Sequence, residues 1–530
     1  MIGRGVVLVL LVAAGAVAGA TAVGAAPRIE DDIVVRSFDG TPIVTTLMLP
    51  EGASAEAPVP VILNTHGWGG RRQTTSSGTI GELVKRGYAV LTYDSRGFGE
   101  SGGEANVGSV EFEAKDAGAL IDYLATRPEI LLDGPADPRV GWYGGSNAGG
   151  VQLNTAAVDD RVDVIVPVIS WGDLPRDLIP NGVAKQTWDE LLYGAGAAGA
   201  TADGIGSAAG PQTGVYAREI HIGHAQLVTT GSITDDIRSW FAERSTTARS
   251  DDVRIPTFII QGSIDTLFPL EDGFENYSNV ASGGAPVKLM TYCSGHTITG
   301  CTYPGGASGY PDGAAGRAPL WEQRVLSWFD KHLKGVDVDT GPEIEWQAQD
   351  GYFYGAPKYP LPGTKLEPGT PVSTGTLIGP GGTGGDGPAH GAPARREELG
   401  VTAARAVILQ SPHKARPILG IPQVRLQGNV VGLTAHVYLE LVDVAPDGTR
   451  VTVDDQTMPV RLGPGAVDET VELHGVSWIL RPGHSLELEI TTGSAQYAPP
   501  RTGPFAISLT ASPTLPLAPT GFASPEHRSS

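Results

Sequence analysis

The segment Gly144-Gly145-Ser146-Asn147-Ala148 lies between the apolar stretch RVGWY and the helix-like stretch GGVQLNTAAV. A serine at a sharp strand-to-helix turn needs small residues two positions to either side, because larger side chains would collide there; its hydroxyl is then held clear as a nucleophile. Gly144 meets that requirement, and Ala148 stands where glycine is usual. A serine hydroxyl is unreactive without a base, and the base needs an acid to orient it. Asp265, in QGSID after PTFII, and His296, in SGH after VKLMTY, each follow a short apolar run, where a loop at a strand's carboxyl end would present them. Of the eleven histidines, His296 combines that position with the chain order Ser, Asp, His. His221 and His224 precede Asp265 and His332 falls in a helical stretch, so these three are assigned surface or packing roles.

Attack on a carbonyl also requires donors where oxyanion charge develops. The backbone N–H of Asn147, next after the serine, is one expected donor. The other is the backbone N–H of Trp68 in NTHGWGGRR, where Gly67, Gly69 and Gly70 let the chain turn toward a substrate. The only two cysteines, Cys293 and Cys301, flank His296 in YCSGHTITGCTYP. C-x2-H-x4-C could supply three zinc ligands, but ligation would withdraw His296 from acid–base work. Two lone cysteines in an exported chain tend to pair, so a disulfide around His296 is the expectation, with free thiols the remaining option. No metal and no cofactor are expected.

These residues need a frame. DIVVRS, PIVTTLMLP, PVPVILNTHG, YAVLTYDSRG, RVGWYGG and VDVIVPVIS read as strands, with helices near 80–86, in VEFEAKDAGALIDYLATR and in SNAGGVQLNTAAV. In the second helix Phe112, Ala119, Leu120 and Tyr123 can share a face. Short apolar strands alternating with helices predict a mostly parallel sheet covered on both sides. The alternation breaks at about 172–250, which includes GAGAAGATADGIGSAAG and is expected to form a cap, then resumes through IPTFIIQGSID and PVKLMTY to the helix APLWEQRVLSWFDKHLKG. The α/β domain is thus placed at 27–335, and a connecting segment with the start of the carboxyl-terminal region at 336–395. Alternation in HVYLELVDV, RVTVDDQ, VDETVELHGVSWIL, SLELEIT and FAISLTA predicts an all-β sandwich or jelly roll over 396–518, with 519–530 as a disordered tail.

The amino terminus has Arg4, the run VVLVLLVAAGAVAGA and then TAVGAAP, the pattern of a signal peptide over residues 1–25 cut after Ala25. An uncleaved anchor is the alternative. With cleavage the protein is secreted and keeps no stable membrane association. The balance of 37 basic against 58 acidic residues argues against nucleic acid as a partner, leaving a small-molecule or peptide substrate. Oligomeric state is not legible in the sequence.

HGWGG, YDSRGFGESGG, GGSNAGG, QGSIDTLFP and SGH, with VYLELVDVAPDGT and GVSWILRPGHSLELEIT in the β region, resemble the X-Pro dipeptidyl-peptidase and cocaine esterase family of serine hydrolases. The resemblance implies an α/β-hydrolase domain with a cap, followed by a non-catalytic, galactose-binding-like jelly-roll domain. It further implies acyl transfer through a covalent Ser146 ester, with His296 as base then acid and Asp265 holding its tautomer. Family members often place a tyrosine in the oxyanion hole, and the loop here has His66 to Trp68 instead. Peptide, ester and amide substrates all fit these parts. Asp173, Asp177 and Glu190 are the cap carboxylates that could capture a free amino terminus, and Asp94 and Arg96 are expected to tie their own loop. A non-catalytic binding protein, using its β domain to recognise peptide or carbohydrate, is the alternative.

Overall fold

The structure, a computed structural model, describes residues 27–201, 216–297, 300–311, 317–379, 403–499, 503–523 and 528. The signal-peptide segment, the second half of the glycine–alanine segment and most of the glycine-rich connection lie outside the described residues.

Ten strands make the first sheet: β1 Arg28–Arg36, β2 Pro42–Leu49, β3 Val61–Thr65, β4 Ala89–Tyr93, β5 Val140–Gly145, β6 Val162–Val168, β7 Thr257–Gly262, β8 Val287–Tyr292, β9 Ile344–Gln347 and β10 Phe353–Ala356. Their order is β1-β2-β4-β3-β5-β6-β7-β8-β9-β10, parallel from β4 to β9 and antiparallel at both edges. Helices α1 Gly78–Lys85 and α9 Leu320–Lys334 cover one face, where Leu83, Val325 and Phe329 meet Ile62 and Val90. Helices α2 Glu113–Ala125, α3 Asn147–Ala156 and α8 Leu270–Ser282 cover the other, with Leu120, Val151 and Val280 against Leu63 and Trp142. Burial on both faces explains why β7 reads TFIIQG without alternation. Between β6 and β7 the chain leaves the sheet for α4 Leu174–Leu178, α5 Gln186–Thr201, α6 Arg218–Thr230 and α7 Asp235–Ala242, the cap.

Three expectations need correction. Phe112 stands before α2, whose buried face is Ala117, Leu120, Ile121 and Leu124; the Phe112 ring lies under Arg96 instead. The hydrolase sheet does not end near 335, because β9 and β10 extend it. Those strands are short, and β9 hides a carboxylate: Glu345 is fully buried, where Lys288 and Arg324 neutralise it at 2.6 and 3.1 Å. Within 336–395, where the carboxyl-terminal region was expected to begin, Lys365–Pro368, Val372–Ser373 and Leu377–Gly379 pair with Phe505–Leu517. In the tail, Thr520–Ala523 form a 3-10 turn and Arg528 lies over the Tyr352 ring, so these residues are ordered by packing on aromatic groups.

The β domain has two antiparallel sheets. One runs Gly465–Glu472, Gln423–Val431, Phe505–Leu517, Arg416–Gly420 and Val476–Leu480; the other runs Ala403–Gln410, Ser485–Thr491 and Ala435–Val444, with Arg450–Thr452 and Met458–Leu462 on the last. Their shared core reaches into the hydrolase domain, where it takes in Ile264, Cys293 and Tyr303.

Candidate active site

Strand β5 runs directly into α3, and Ser146 between them has φ 58° and ψ −122°, a conformation L-residues avoid. Its N–H donates to Val168 O at 2.8 Å, which holds the turn against β6. A Cβ at Gly144 would come within 2.6 Å of the Ala148 Cβ. One of these two positions must therefore be glycine, and Gly144 meets that need for both. Asn147 opens α3, so its N–H has no intrahelical acceptor.

The loops after β7 and β8 bring Asp265 and His296 to the serine. His296 Nδ1 lies 2.8 Å from Asp265 Oδ2, and His296 Nε2 lies 2.8 Å from Ser146 Oγ. Asp265 is fully buried, and its Oδ1 accepts from the Leu267 and Phe268 N–H groups at 2.9 and 2.8 Å. Those donors offset the cost of burying the carboxylate and fix its orientation. Nδ1 then donates to Oδ2, which leaves Nε2 to accept the serine proton. Phe268 and Trp188 flank the imidazole edge-on, at 5.1 and 6.0 Å between ring centroids. Gly295 has φ 130°, and a Cβ there would lie 2.5 Å from Asp265 Cβ, so the residue before the histidine has to be glycine. Cys293 and Cys301 are bonded to each other and close the loop that carries His296. The bridge removes both thiolates from any zinc set.

The loop after β3 crosses above the serine; a Cβ on Gly67 would sit 3.5 Å from Ser146 Cβ. His66 Nε2 accepts the Ser95 N–H at 3.1 Å, so in the neutral ring Nδ1 carries the proton and donates to Gly67 O at 2.7 Å. Burial holds His66 below the usual imidazole range, which keeps the ring neutral. Because the peptide unit is planar, tying Gly67 O also fixes the direction of the Trp68 N–H. The Trp68 indole turns to the cap, donating to Leu192 O at 3.0 Å and stacking on Tyr216. In the next loop Asp94 accepts from Arg72 Nη1 at 2.6 Å, and Arg96 grips both oxygens of Asp116 at 2.6 and 2.7 Å. Both residues tie neighbouring loops together.

Ser146 opens on a cavity of about 90 Å³ whose wall is almost wholly apolar: Val107, Trp171, Leu174, Leu178, Ile220 and Phe268 are among its residues. Asp173, Asp177 and Glu190 do not line it. Asp173 caps α4, Asp177 is buried beside Arg176, and Glu190 is exposed. Among the described residues the carboxylate in the wall is Asp189, 3.2 Å from His224 Nδ1, with the His224 ring stacked on Tyr193 at 3.8 Å. Burial pushes the Asp189 carboxyl up to about 6, against the pull of His224. Sequence reasoning missed this pair. The signal was present in the spacing, since Asp189 and Tyr193 are four apart on α5 and His221 and His224 three apart on α6, but nothing local shows that the two helices face each other.

Residues 39–297 match the model of the X-Pro dipeptidyl-peptidase (S15) family. The motifs above implied that resemblance. Among solved structures, an α-amino acid ester hydrolase aligns over 94% of this chain and 97% of its own, with TM-score 0.69 and 14% identity. A CocE/NonD family hydrolase from Staphylococcus aureus aligns over 93% and 94%, with TM-score 0.65 and 14% identity. At that identity the likeness shows the fold, an α/β-hydrolase domain followed by a β domain. An uncharacterized protein of Pseudomonas aeruginosa is 30% identical over 128 residues, 24% of this chain and 33% of that one. The chain covers 33% to 47% of the length of the first curated relatives it matches. No helix among the described residues is long and apolar enough to cross a membrane.

Proposed function

We propose that this chain is an exported serine hydrolase that cleaves an ester of an apolar acyl group through an acyl-Ser146 intermediate. The observation that carries the reading is the unbroken chain Ser146 Oγ, His296 Nε2, His296 Nδ1, Asp265 Oδ2, with both links at 2.8 Å, facing an apolar cavity. Ser146 Oγ attacks the carbonyl carbon while its proton passes to His296 Nε2, and Asp265 stabilises the imidazolium. The N–H groups of Asn147 and Trp68 receive the oxyanion. Collapse breaks the bond to the leaving group, which takes the proton from His296. Water then repeats the sequence, releasing the carboxylic acid and restoring Ser146.

The S15 family takes its name from X-Pro dipeptidyl-peptidase, and one solved structural relative is titled an α-amino acid ester hydrolase. Capture of a free amino terminus calls for a carboxylate facing the cavity. The one in its wall among the described residues, Asp189, is paired with His224, which favours a neutral acyl group. The disulfide and the apolar amino-terminal run support export. A fluorophosphonate should label the wild type and not Ser146→Ala, and aryl esters of short apolar acids should turn over faster than an X-Pro anilide. No labelling of the wild type, or equal labelling of both proteins, refutes the serine mechanism; preference for the anilide refutes the acyl assignment.

A further inference from the structure

The loops that bring Asp265 and His296 to Ser146 both rest on one turn of the β domain. That turn, Val453–Asp455, joins strands Arg450–Thr452 and Met458–Leu462. Just after it, the buried Gln456 donates from Nε2 to Asp265 O at 2.9 Å and to Ser263 O at 3.4 Å. Within the turn, Asp454 is 1% exposed and accepts from the Tyr303 hydroxyl at 2.9 Å and from the Ser477 N–H at 2.6 Å. Tyr303 lies two residues past Cys301, at the end of the bridged loop that presents His296. The contact is also apolar: Ile264, Cys293 and Tyr303 pack in one cluster with Leu439, Val453 and Trp478.

The backbone of this turn is under strain. Asp454 and Asp455 have φ 51° and 56°, two consecutive left-handed residues without a glycine. Aspartate tolerates that conformation better than most side chains, but glycine adopts it at least cost. Such strain persists where the surroundings over-determine it, and it gathers at functional sites. Here the aspartate at the first strained position holds the base loop, and the residue after the second holds the acid loop.

We propose that Gln456 is a positioning residue for Asp265, and that the β domain, through Gln456 and the Asp454–Tyr303 bond, sets the distance between acid and base. The proposal rests on the reading of Ser146, His296 and Asp265 as a catalytic triad. Other ties act further along the acid loop: Gln261 donates to Phe268 O at 2.7 Å, Lys185 to Leu267 O at 2.8 Å, and the Thr266 N–H to His296 O at 3.0 Å. Gln456 takes the carbonyl of Asp265 itself. The Asp265 carboxylate is bound by the N–H groups of residues 267 and 268, so a shift of its backbone changes where Oδ2 meets Nδ1.

The test uses the full chain with Gln456→Ala and, to keep the side-chain volume, Tyr303→Phe. Active-site titration with a fluorophosphonate counts competent sites, and an aryl ester gives kcat and KM per competent site. Gln456→Ala should lower kcat about tenfold with KM changed less than about twofold, and Tyr303→Phe should lower kcat about threefold. The far-downfield proton resonance of the His296 Nδ1–H should move in Gln456→Ala, which a loss of folded molecules would not cause. If both variants keep kcat per site within about twofold of wild type, or if the resonance stays in place, the positioning role is wrong and the triad stands. A wild type that neither labels nor turns over removes the catalytic reading and the proposal together.

Discussion

Replacing Gly295 by alanine should damage the site through one contact, and Gly300 supplies the control. A Cβ at Gly295 would sit 2.5 Å from Asp265 Cβ, 2.7 Å from its Cα and 2.9 Å from its Cγ, whereas ordinary contacts begin at 3.4 Å. One side has to move by about 0.9 Å, the difference between those limits. Asp265 is held by two N–H donors, so the displacement falls on residues 295 and 296, and the 2.8 Å bond from Nδ1 to Oδ2 lengthens. A misplacement of about 1 Å in a catalytic constellation costs roughly 10²-fold in rate. The left-handed backbone at φ 130° adds about 1–3 kcal/mol of strain for alanine. Gly300, on the same bridged loop, also has positive φ, 72°, but a Cβ there meets no atom of the described residues within 4 Å. Gly300→Ala should therefore lose about 1–2 kcal/mol of stability and keep its turnover within about threefold. The assay is kcat on an aryl ester, normalised by active-site titration, beside thermal melts of both variants. A Gly295→Ala enzyme within about threefold of wild type, or a Gly300→Ala enzyme as impaired as Gly295→Ala, would refute the argument from contact.

Asp177 is buried, and burial pushes its carboxyl up to about 7 against the pull of Arg176 and Lys185. The folded state thus keeps a proton that the unfolded chain releases near 4, so this group's contribution to stability is full at low pH and is lost as pH rises toward 7. Asp177→Asn, uncharged and of the same shape, should raise the melting temperature at pH 8 and leave it unchanged near pH 4; an equal shift at both would show that protonation is not the cause. Separately, replacing both Cys293 and Cys301 by serine should cost about 2–3 kcal/mol on the loop-entropy model. Mild reduction of the wild type should lower turnover before the protein unfolds, and unchanged activity after verified reduction would show that the bridge does not hold His296 in place.

Much of the site is written locally. Ser146 announces itself because a sharp turn between strand and helix tolerates only small neighbours, and Gly144 can be read without knowing what lies around it. Asp265 and His296 each follow an apolar run, so the rule that loops at strand ends carry chemistry finds both. Other features sit where local signals mislead. Glu345 gives β9 a charge that reads as exposed until Lys288 and Arg324 are seen around it. Asp173, Asp177 and Glu190 were the natural cap candidates by position, yet the helices turn Asp189 to the cavity instead.

By itself, then, the sequence determined the alternating α/β frame, the chain order of serine, aspartate and histidine, and the pair of cysteines around the histidine. These depend on side-chain volume, on hydrophobic period and on a few residues within one turn or strand of each other. Tertiary structure alone decided which carboxylate faces the cavity, and that a β-domain glutamine 191 residues along the chain lies against the carbonyl of Asp265. Such contacts arise from how whole helices and sheets pack, and no spacing within a single element encodes the angle at which another element will meet it.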